Sequence, residues 1–201
     1  MPDKIYNPLD KRNLGVSVTN ALLEKETVAL PPSESFVGAG IYAIYYLGDF
    51  PLYKSISDRN RSGGPAQLIY IGKAVPAGYR KGVGFDSDPG DVLYRRLREH
   101  ADTIRATSNL ELEHFHCRYL VVDDIWIPLG EALLIDSFSP LWNKVLDGFG
   151  NHDPGKGRYE QQRSSWDEIH PGRAWALKCQ PNNKTIENIK NEVSVFLKWG
   201  K

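Results

Sequence analysis

Cysteine is scarce in this sequence, whose 201 residues include only Cys117 and Cys179. Two distant cysteines are too few for a disulfide framework or a zinc site, so both thiols are expected to be reduced. Long apolar runs are missing too. No stretch approaches the roughly 18 apolar residues of a membrane span, and no apolar signal segment is visible at the start. These absences predict a cytoplasmic protein without a membrane segment.

Excess charge of either sign is also missing, because 25 Lys and Arg balance 25 Asp and Glu. A neutral total argues at first against a nucleic-acid partner. The basic residues are unevenly spread, however, and gather in glycine-rich or helical stretches, so a neutral chain can still present a basic face. With 41% hydrophobic residues, the chain is long enough to build one well-packed core.

Three apolar runs predict strands. Residues 40–47 read GIYAIYYL and residues 68–72 read LIYIG, both rich in Ile and Tyr, which favour strands. Residues 114–122 alternate and then become fully apolar, which indicates a third strand. Residues 48–66 contain several Gly and Pro and predict a long connection, too long for a tight hairpin turn.

A helix is predicted from Val92 to about Ala106, with Asp91 as its N-cap. At 100° per residue, His100 falls within the apolar stripe of this helix and Arg96 lies on its edge, one turn earlier. A lone His in such a stripe is commonly a core residue with its hydrogen bonds satisfied. With Arg four residues before it, a pair that handles an anion becomes a competing interpretation.

A second helix is predicted from Leu129 to Phe138 (LGEALLIDSF), and it contains Glu131 within an almost wholly apolar segment. Either the carboxylate is favoured by the dipole of the first helical turn, or it is a metal ligand, because a carboxylate in apolar surroundings needs a cation. Asn143 follows in the segment Pro-Leu-Trp-Asn.

The remaining segments leave alternatives open. Residues 73–91 form a second long loop, which is either functional or a plain surface insertion. A short helix is predicted within residues 17–26, and a longer amphipathic helix within residues 182–199. The longer helix packs either on its own core or on a second subunit. Residues 147–172 are polar and loop-like.

The order of these features resembles the GIY-YIG nuclease superfamily over residues 38–145. A GIY strand, a YIG strand, a helix with Arg and His four apart, another strand and a helix with one Glu follow each other as in that family. The resemblance implies an α+β (α/β sandwich) fold with a three-stranded antiparallel sheet flanked by helices, long loop insertions and terminal helical extensions. Residues 1–37 would be an arm and helix, and residues 146–201 an extension packed as one domain with the core.

The resemblance also implies the chemistry, which is hydrolysis of nucleic-acid phosphodiesters with one Mg²⁺, for which Mn²⁺ can substitute. Arg96 would contact the scissile phosphate, and His100 would either share a proton with Tyr42 or fix its hydroxyl. Which tyrosine takes the proton stays open. The residues that match the catalytic motif positions are Tyr42, Tyr70, Arg96, His100 and Glu131, with Glu131 as metal ligand and Lys73 and Asn143 in supporting positions.

Among the branches, the chain is most similar to Type II restriction endonucleases that cut the palindrome CCGCGG. Double-stranded DNA, a homodimer, a partner methyltransferase and a bacterial host are the corresponding expectations. A less specific repair or mobile-element nuclease, or a non-catalytic DNA-binding protein on the same fold, are the alternatives. The chain departs from compact members in the long segment between its two motif tyrosines, residues 43–69.

Six basic residues are candidates for DNA contacts. Arginine reads guanine O6 and N7 with two hydrogen bonds, and lysine commonly binds phosphate. For each residue a solvated surface charge is the competing interpretation. The candidates are Arg80, Lys81, Lys156, Arg158, Arg163 and Arg173.

Overall fold

A four-stranded antiparallel sheet forms the centre of the computed structural model, which describes residues 7, 10–76 and 89–199. The strand order is β1-β4-β2-β3. The predicted α+β class and the three predicted strands are confirmed. A fourth strand of two residues adds to one edge and is too short to leave a pattern in the sequence. The strands are β1 (Val28–Ala29), β2 (Gly40–Tyr46), β3 (Leu68–Ala74) and β4 (Phe115–Val121).

Helices cover both faces of this sheet. The predicted helices around residues 92–106 and 129–138 are present, and the second begins two residues earlier than expected. Asp91 precedes α3, but its carboxylate pairs with Arg95 at 2.8 Å. The described helices are α1 (Lys11–Leu23), α2 (Lys54–Gly63), α3 (Val92–Arg105), α4 (Ile127–Phe138), α5 (Leu141–Lys144), α6 (Ser165–Ile169) and α7 (Ile186–Trp199).

The long connection over residues 48–66 is present between β2 and β3, and it contains a helix that the sequence pattern did not predict, α2. The helix is polar in sequence (KSISDRNRSG), so its apolar periodicity is too weak to read. Tertiary hydrogen bonds hold it instead. The buried Asn60 side chain donates to the carbonyls of Tyr46 and Gln67 and accepts from the amides of Ala66 and Gln67. The segment therefore bulges out between two paired strands, whose pairing has one register shift, between Ile44 and Tyr45.

Two cores lie on opposite faces of β2, whose seven residues are all buried. Ile41 packs with Leu22 and Leu134 on the face covered by α1 and α4. Tyr42 belongs to the larger core on the other face, where α3, α5, α6 and α7 pack. Alternate residues of one strand therefore serve two layers, as the pleat requires.

The C-terminal extension contributes to the larger core through Phe149, Trp166, Ile189 and Val193. The last two belong to α7, so this helix packs on its own chain. Within the described part of the chain, every helix is too short or too polar to cross a lipid bilayer.

Candidate active site

A buried hydrogen bond joins β2 to α3. The Tyr42 hydroxyl oxygen lies 2.6 Å from Nε2 of His100, and both side chains are almost wholly buried. The ring of Tyr70, from β3, lies edge-on to His100 with 5.3 Å between ring centroids. The sheet thus brings together two tyrosines that are far apart in sequence, and α3 supplies the imidazole between them.

The glycines of both tripeptides have steric reasons to be glycine. A Cβ on Gly72 would lie 2.3 Å from the Tyr42 hydroxyl oxygen, because Gly72 is the cross-strand partner of Tyr42. A Cβ on Gly40 would lie 1.9 Å from the carbonyl oxygen of Leu120 on β4. Gly72 therefore makes room for the functional hydroxyl, whereas Gly40 allows the strands to approach.

Burial controls the ionisation of the pair. Burial lowers the pKa of His100 well below its usual value, and the nearby charge of Arg96 lowers it further. Burial also raises the pKa of Tyr42 well above its usual value, with Tyr70 adding to the rise and Arg96 opposing it. At neutral pH both groups are therefore neutral, so the hydrogen bond joins a phenol and an imidazole.

Arg96 lies beside this pair in the wall of a cleft of about 330 Å³, which His100 and Phe149 also line. Its Nη1 donates to Glu99 at 2.9 Å and contacts the His152 ring nitrogen, and its Nη2 donates to the carbonyl of Gly150 at 2.8 Å. The guanidinium is held in a fixed orientation and remains 18% exposed.

Glu131 of α4 forms an ion pair with Lys73 of β3, with 2.5 Å between Oε2 and Nζ. Glu131 is the fifth residue of α4, beyond the first turn, so the helix-dipole explanation does not apply. Burial is the main reason why the pKa values of Tyr42 and Tyr70 are raised. The negative charge of Glu131 raises both pKa values further. The carboxylate is therefore within electrostatic range of both tyrosines.

Asn143 binds the backbone of the edge strand β3 with both ends of its amide. Its Oδ1 accepts from the amide of Ile71 and its Nδ2 donates to the carbonyl of the same residue, each at 2.8 Å. The side chain imitates a neighbouring strand beside the YIG segment, and this places Asn143 in a supporting position.

A family model for the Eco29kI GIY-YIG domain matches residues 34–197. This chain belongs to the Eco29kI GIY-YIG family. That family is one of restriction endonucleases, so the resemblance seen in the sequence is confirmed, and the chain is a GIY-YIG nuclease of the restriction type with DNA as its substrate. A comparison with curated proteins found no match. The matched residues extend beyond the motifs and include most of the C-terminal extension.

Divalent metals are typical of GIY-YIG nucleases, and the donor set here fits one. Mg²⁺ is commonly held by one or two carboxylates together with waters and substrate phosphates. Glu131 supplies one carboxylate that is 20% exposed and lies within electrostatic range of both tyrosine hydroxyls. A second acidic group, formed by Glu111, Glu113 and His114 among the described residues, lies before β4, at the opposite end of the sheet from the Tyr42 pair.

Two of the predicted DNA contacts have partners within the protein. Arg173 is 5% exposed, and its guanidinium is surrounded by interior partners. Arg163 binds the carbonyl of Ala176 and the carboxylate of Glu168 within the extension. Both side chains hold the protein together, and an isolated arginine in the sequence carries no sign of this. Arg80 and Lys81 lie outside the described residues, whereas Lys156 and Arg158 are exposed.

Three residues of the site were not found from the sequence, and all belong to the segment Gly-Phe-Gly-Asn-His. Phe149 stacks on His100 with 4.5 Å between ring centroids. Gly150 approaches so closely that a Cβ would lie 2.6 Å from the Tyr70 hydroxyl oxygen. His152 contacts Arg96. The signal available in the sequence was the pair of glycines around an aromatic residue, which marks a close approach of backbone.

Proposed function

We propose that this GIY-YIG nuclease is a Type II restriction endonuclease that hydrolyses double-stranded DNA at a palindromic, GC-rich site with Mg²⁺. The observation that carries the proposal is the buried Tyr42–His100 hydrogen bond, which lies beside a mostly buried arginine and within electrostatic range of one carboxylate. Phosphodiester hydrolysis requires an activated water, a group that neutralises phosphate charge and stabilisation of the leaving oxygen. The site has one candidate for each.

Tyr42 and His100 would transfer the proton. In the neutral tautomer of His100 that carries its proton on Nδ1, the Tyr42 hydroxyl would donate to Nε2 and its oxygen would accept from the attacking water. As the water attacks phosphorus, its proton passes to Tyr42 while the Tyr42 proton passes to His100. This relay avoids a buried phenolate, which the raised pKa of Tyr42 makes costly. It forms an imidazolium on His100 instead, whose lowered pKa makes that cation costly as well, and the negative charge that develops on the phosphate would offset this cost. Tyr70 would orient the water or the phosphate.

Arg96 would neutralise the phosphate. Its planar fork suits a phosphate oxygen, and its fixed orientation means that little order has to be gained when DNA binds.

Glu131 would hold the metal, for which Mn²⁺ can substitute. When bound, the ion would neutralise phosphate charge and stabilise the leaving oxygen. Lys73, which pairs with Glu131 here, would balance the carboxylate charge before the ion and DNA arrive.

The recognition site would be a GC-only palindrome such as CCGCGG, read by a homodimer because a two-fold DNA site calls for a two-fold protein. The exposed Lys156 and Arg158 are candidates for DNA contacts, as are Arg80 and Lys81. A companion methyltransferase would protect host DNA in the bacterial cytoplasm.

Plasmid digestion with Mg²⁺ or with EDTA, followed by sequencing of the ends, tests this proposal. Discrete fragments that require Mg²⁺ are expected. Glu131→Gln should slow cleavage by roughly 10²- to 10³-fold, the scale of losing one group that stabilises transition-state charge, while DNA binding and folding persist. The control is Glu187→Gln, since Glu187 is 79% exposed on α7. Wild-type rates in Glu131→Gln would exclude the metal-ligand role, and random fragments would exclude the restriction assignment.

A further inference from the structure

Arg173 is buried, and each of its five N–H donors has an acceptor. Nε and Nη2 bind the two carboxylate oxygens of Asp167 at 2.7 and 2.6 Å. The remaining donors bind the carbonyls of Gly148, Phe149 and Asn151 at 2.9, 3.3 and 2.9 Å. The guanidinium also lies between the rings of two tryptophans, at 4.9 Å from Trp166 and 4.6 Å from Trp175.

These carbonyls belong to a loop that reaches the nuclease site, residues 148–152. Of the four consecutive carbonyls of residues 148–151, three point to Arg173 and that of Gly150 points to Arg96. The loop also stacks Phe149 on His100 and brings His152 against Arg96. The carbonyls of one loop are therefore bound by two arginines, the buried Arg173 and the partly exposed Arg96.

We propose that Arg173 is a positioning residue of the nuclease site, which acts through the 148–152 loop to hold Arg96 and His100 in place. The inference rests on the proposed function, because it matters only if those two side chains take part in cleavage. It also makes the extension, residues 146–201, a working part of one domain with the core, residues 38–145.

Lysine cannot replace this arrangement. An ammonium group has three donors in a tetrahedral arrangement, whereas the planar fork of arginine serves a carboxylate and several carbonyls at once. The backbone conformation of the loop also requires glycine at position 148. Gly148 has a φ of +110°, and a Cβ there would lie 2.0 Å from the Ser164 hydroxyl oxygen. Once the Arg173 bonds are lost, the carbonyls of Phe149 and Asn151 lose their donors, and the Gly148 carbonyl keeps only the amide of Asn151. We therefore expect the loop to move.

Arg173→Lys tests the proposal through the separation of kcat from KM for DNA cleavage. We expect kcat to fall roughly 10- to 100-fold with little change in KM, since small displacements of catalytic groups cost rate. The matched control is Arg118→Lys. Arg118 likewise binds two backbone carbonyls and a hydroxyl, those of Lys25, Pro65 and Tyr45, but on the face of the sheet opposite Tyr42. Thermal unfolding of both variants shows whether they are folded at the assay temperature.

Wild-type kcat in folded Arg173→Lys would overturn the inference. If that variant is unfolded, Phe149→Leu decides, because it leaves Arg173 and its hydrogen bonds intact and removes only the ring stacked on His100. Reduced kcat in Phe149→Leu supports the proposal and wild-type kcat overturns it. Failure of the wild-type protein to cleave DNA would instead overturn the proposed function, so the two failures are distinguishable.

Discussion

The Tyr42 hydroxyl occupies space that is free because Gly72, on the neighbouring strand, has no side chain. Tyr42 is 0% exposed, so its ring has no solvent into which it could retreat if the neighbouring strand became bulkier. The order of motifs in the sequence predicts tyrosines with a chemical role. It does not show that Gly72 makes room for the Tyr42 hydroxyl, because the cross-strand pairing of Tyr42 with Gly72 becomes visible only in the folded sheet.

Gly72→Ala should therefore inactivate the nuclease. The new methyl group would lie 2.3 Å from the Tyr42 hydroxyl oxygen, so the Tyr42–His100 hydrogen bond must break or the strands must shift, at a stability cost of about 1–3 kcal/mol. Cleavage rate and thermal unfolding measure the two effects. Gly63→Ala is the control, because a Cβ there meets no described atom within 4 Å. Full activity of Gly72→Ala would show that the position of the hydroxyl does not matter.

At the scale of elements, Asn143 joins α5 to an edge strand. Its two hydrogen bonds to Ile71 satisfy backbone groups on the side of β3 that has no neighbouring strand in the described sheet. Edge strands generally need such protection. Because Tyr70 and Gly72 flank Ile71, the same bonds fix the strand that carries a site tyrosine.

Asn143→Ala should lower the free energy of unfolding by about 1–3 kcal/mol, because a partly buried amide and carbonyl lose their partners. Denaturant unfolding measures this change, and hydrogen exchange at the Ile71 amide should become faster. Asn188→Ala, an exposed substitution on α7, should stay within about 0.5 kcal/mol of wild type. An unchanged exchange rate at Ile71 would show that other contacts hold β3.

The elements with strong apolar patterns could be predicted from the sequence, and those held by polar contacts could not. β2, β3, α3 and α4 bury apolar residues at regular spacing, so their positions were readable. The polar α2 depends on the hydrogen bonds of Asn60, and sequence pattern does not encode such contacts. The approach of the 148–152 loop to Arg96 joins residues more than 50 positions apart, and without an alignment nothing pairs them.

Across the whole molecule, a second Tyr–His pair ties the extension to the core. The Tyr53 hydroxyl lies 2.5 Å from Nε2 of His170 and accepts from the Trp142 indole at 3.1 Å. Nδ1 of His170 lies 2.9 Å from Oδ1 of Asn109, whose Nδ2 donates to the Ile169 carbonyl. Because Asn109 thus offers its oxygen, His170 carries its proton on Nδ1 and accepts the Tyr53 proton on Nε2.

This buried network predicts how stability depends on pH. Burial lowers the pKa of His170 from 6.5 to about 3, and that of His100 is also lowered well below its usual value. The folded state therefore keeps both rings neutral, whereas the unfolded chain takes up protons near pH 6.5. Stability is complete above that pH and falls as the pH decreases towards 3, by about 1.4 kcal/mol per pH unit for each histidine.

His170→Gln should remove one of these two proton uptakes. Denaturant unfolding between pH 7 and pH 4 (roughly the range below the unfolded pKa of histidine) should give a free energy that falls less steeply with acid than in the wild-type protein. The expected difference in slope is about 1.4 kcal/mol per pH unit. The comparison uses slopes, because the substitution also changes the stability at neutral pH by disturbing Tyr53 and Asn109. Equal slopes in the two proteins would mean that His170 is protonated in the folded state, and that its hydrogen bonds to Tyr53 and Asn109 are arranged differently.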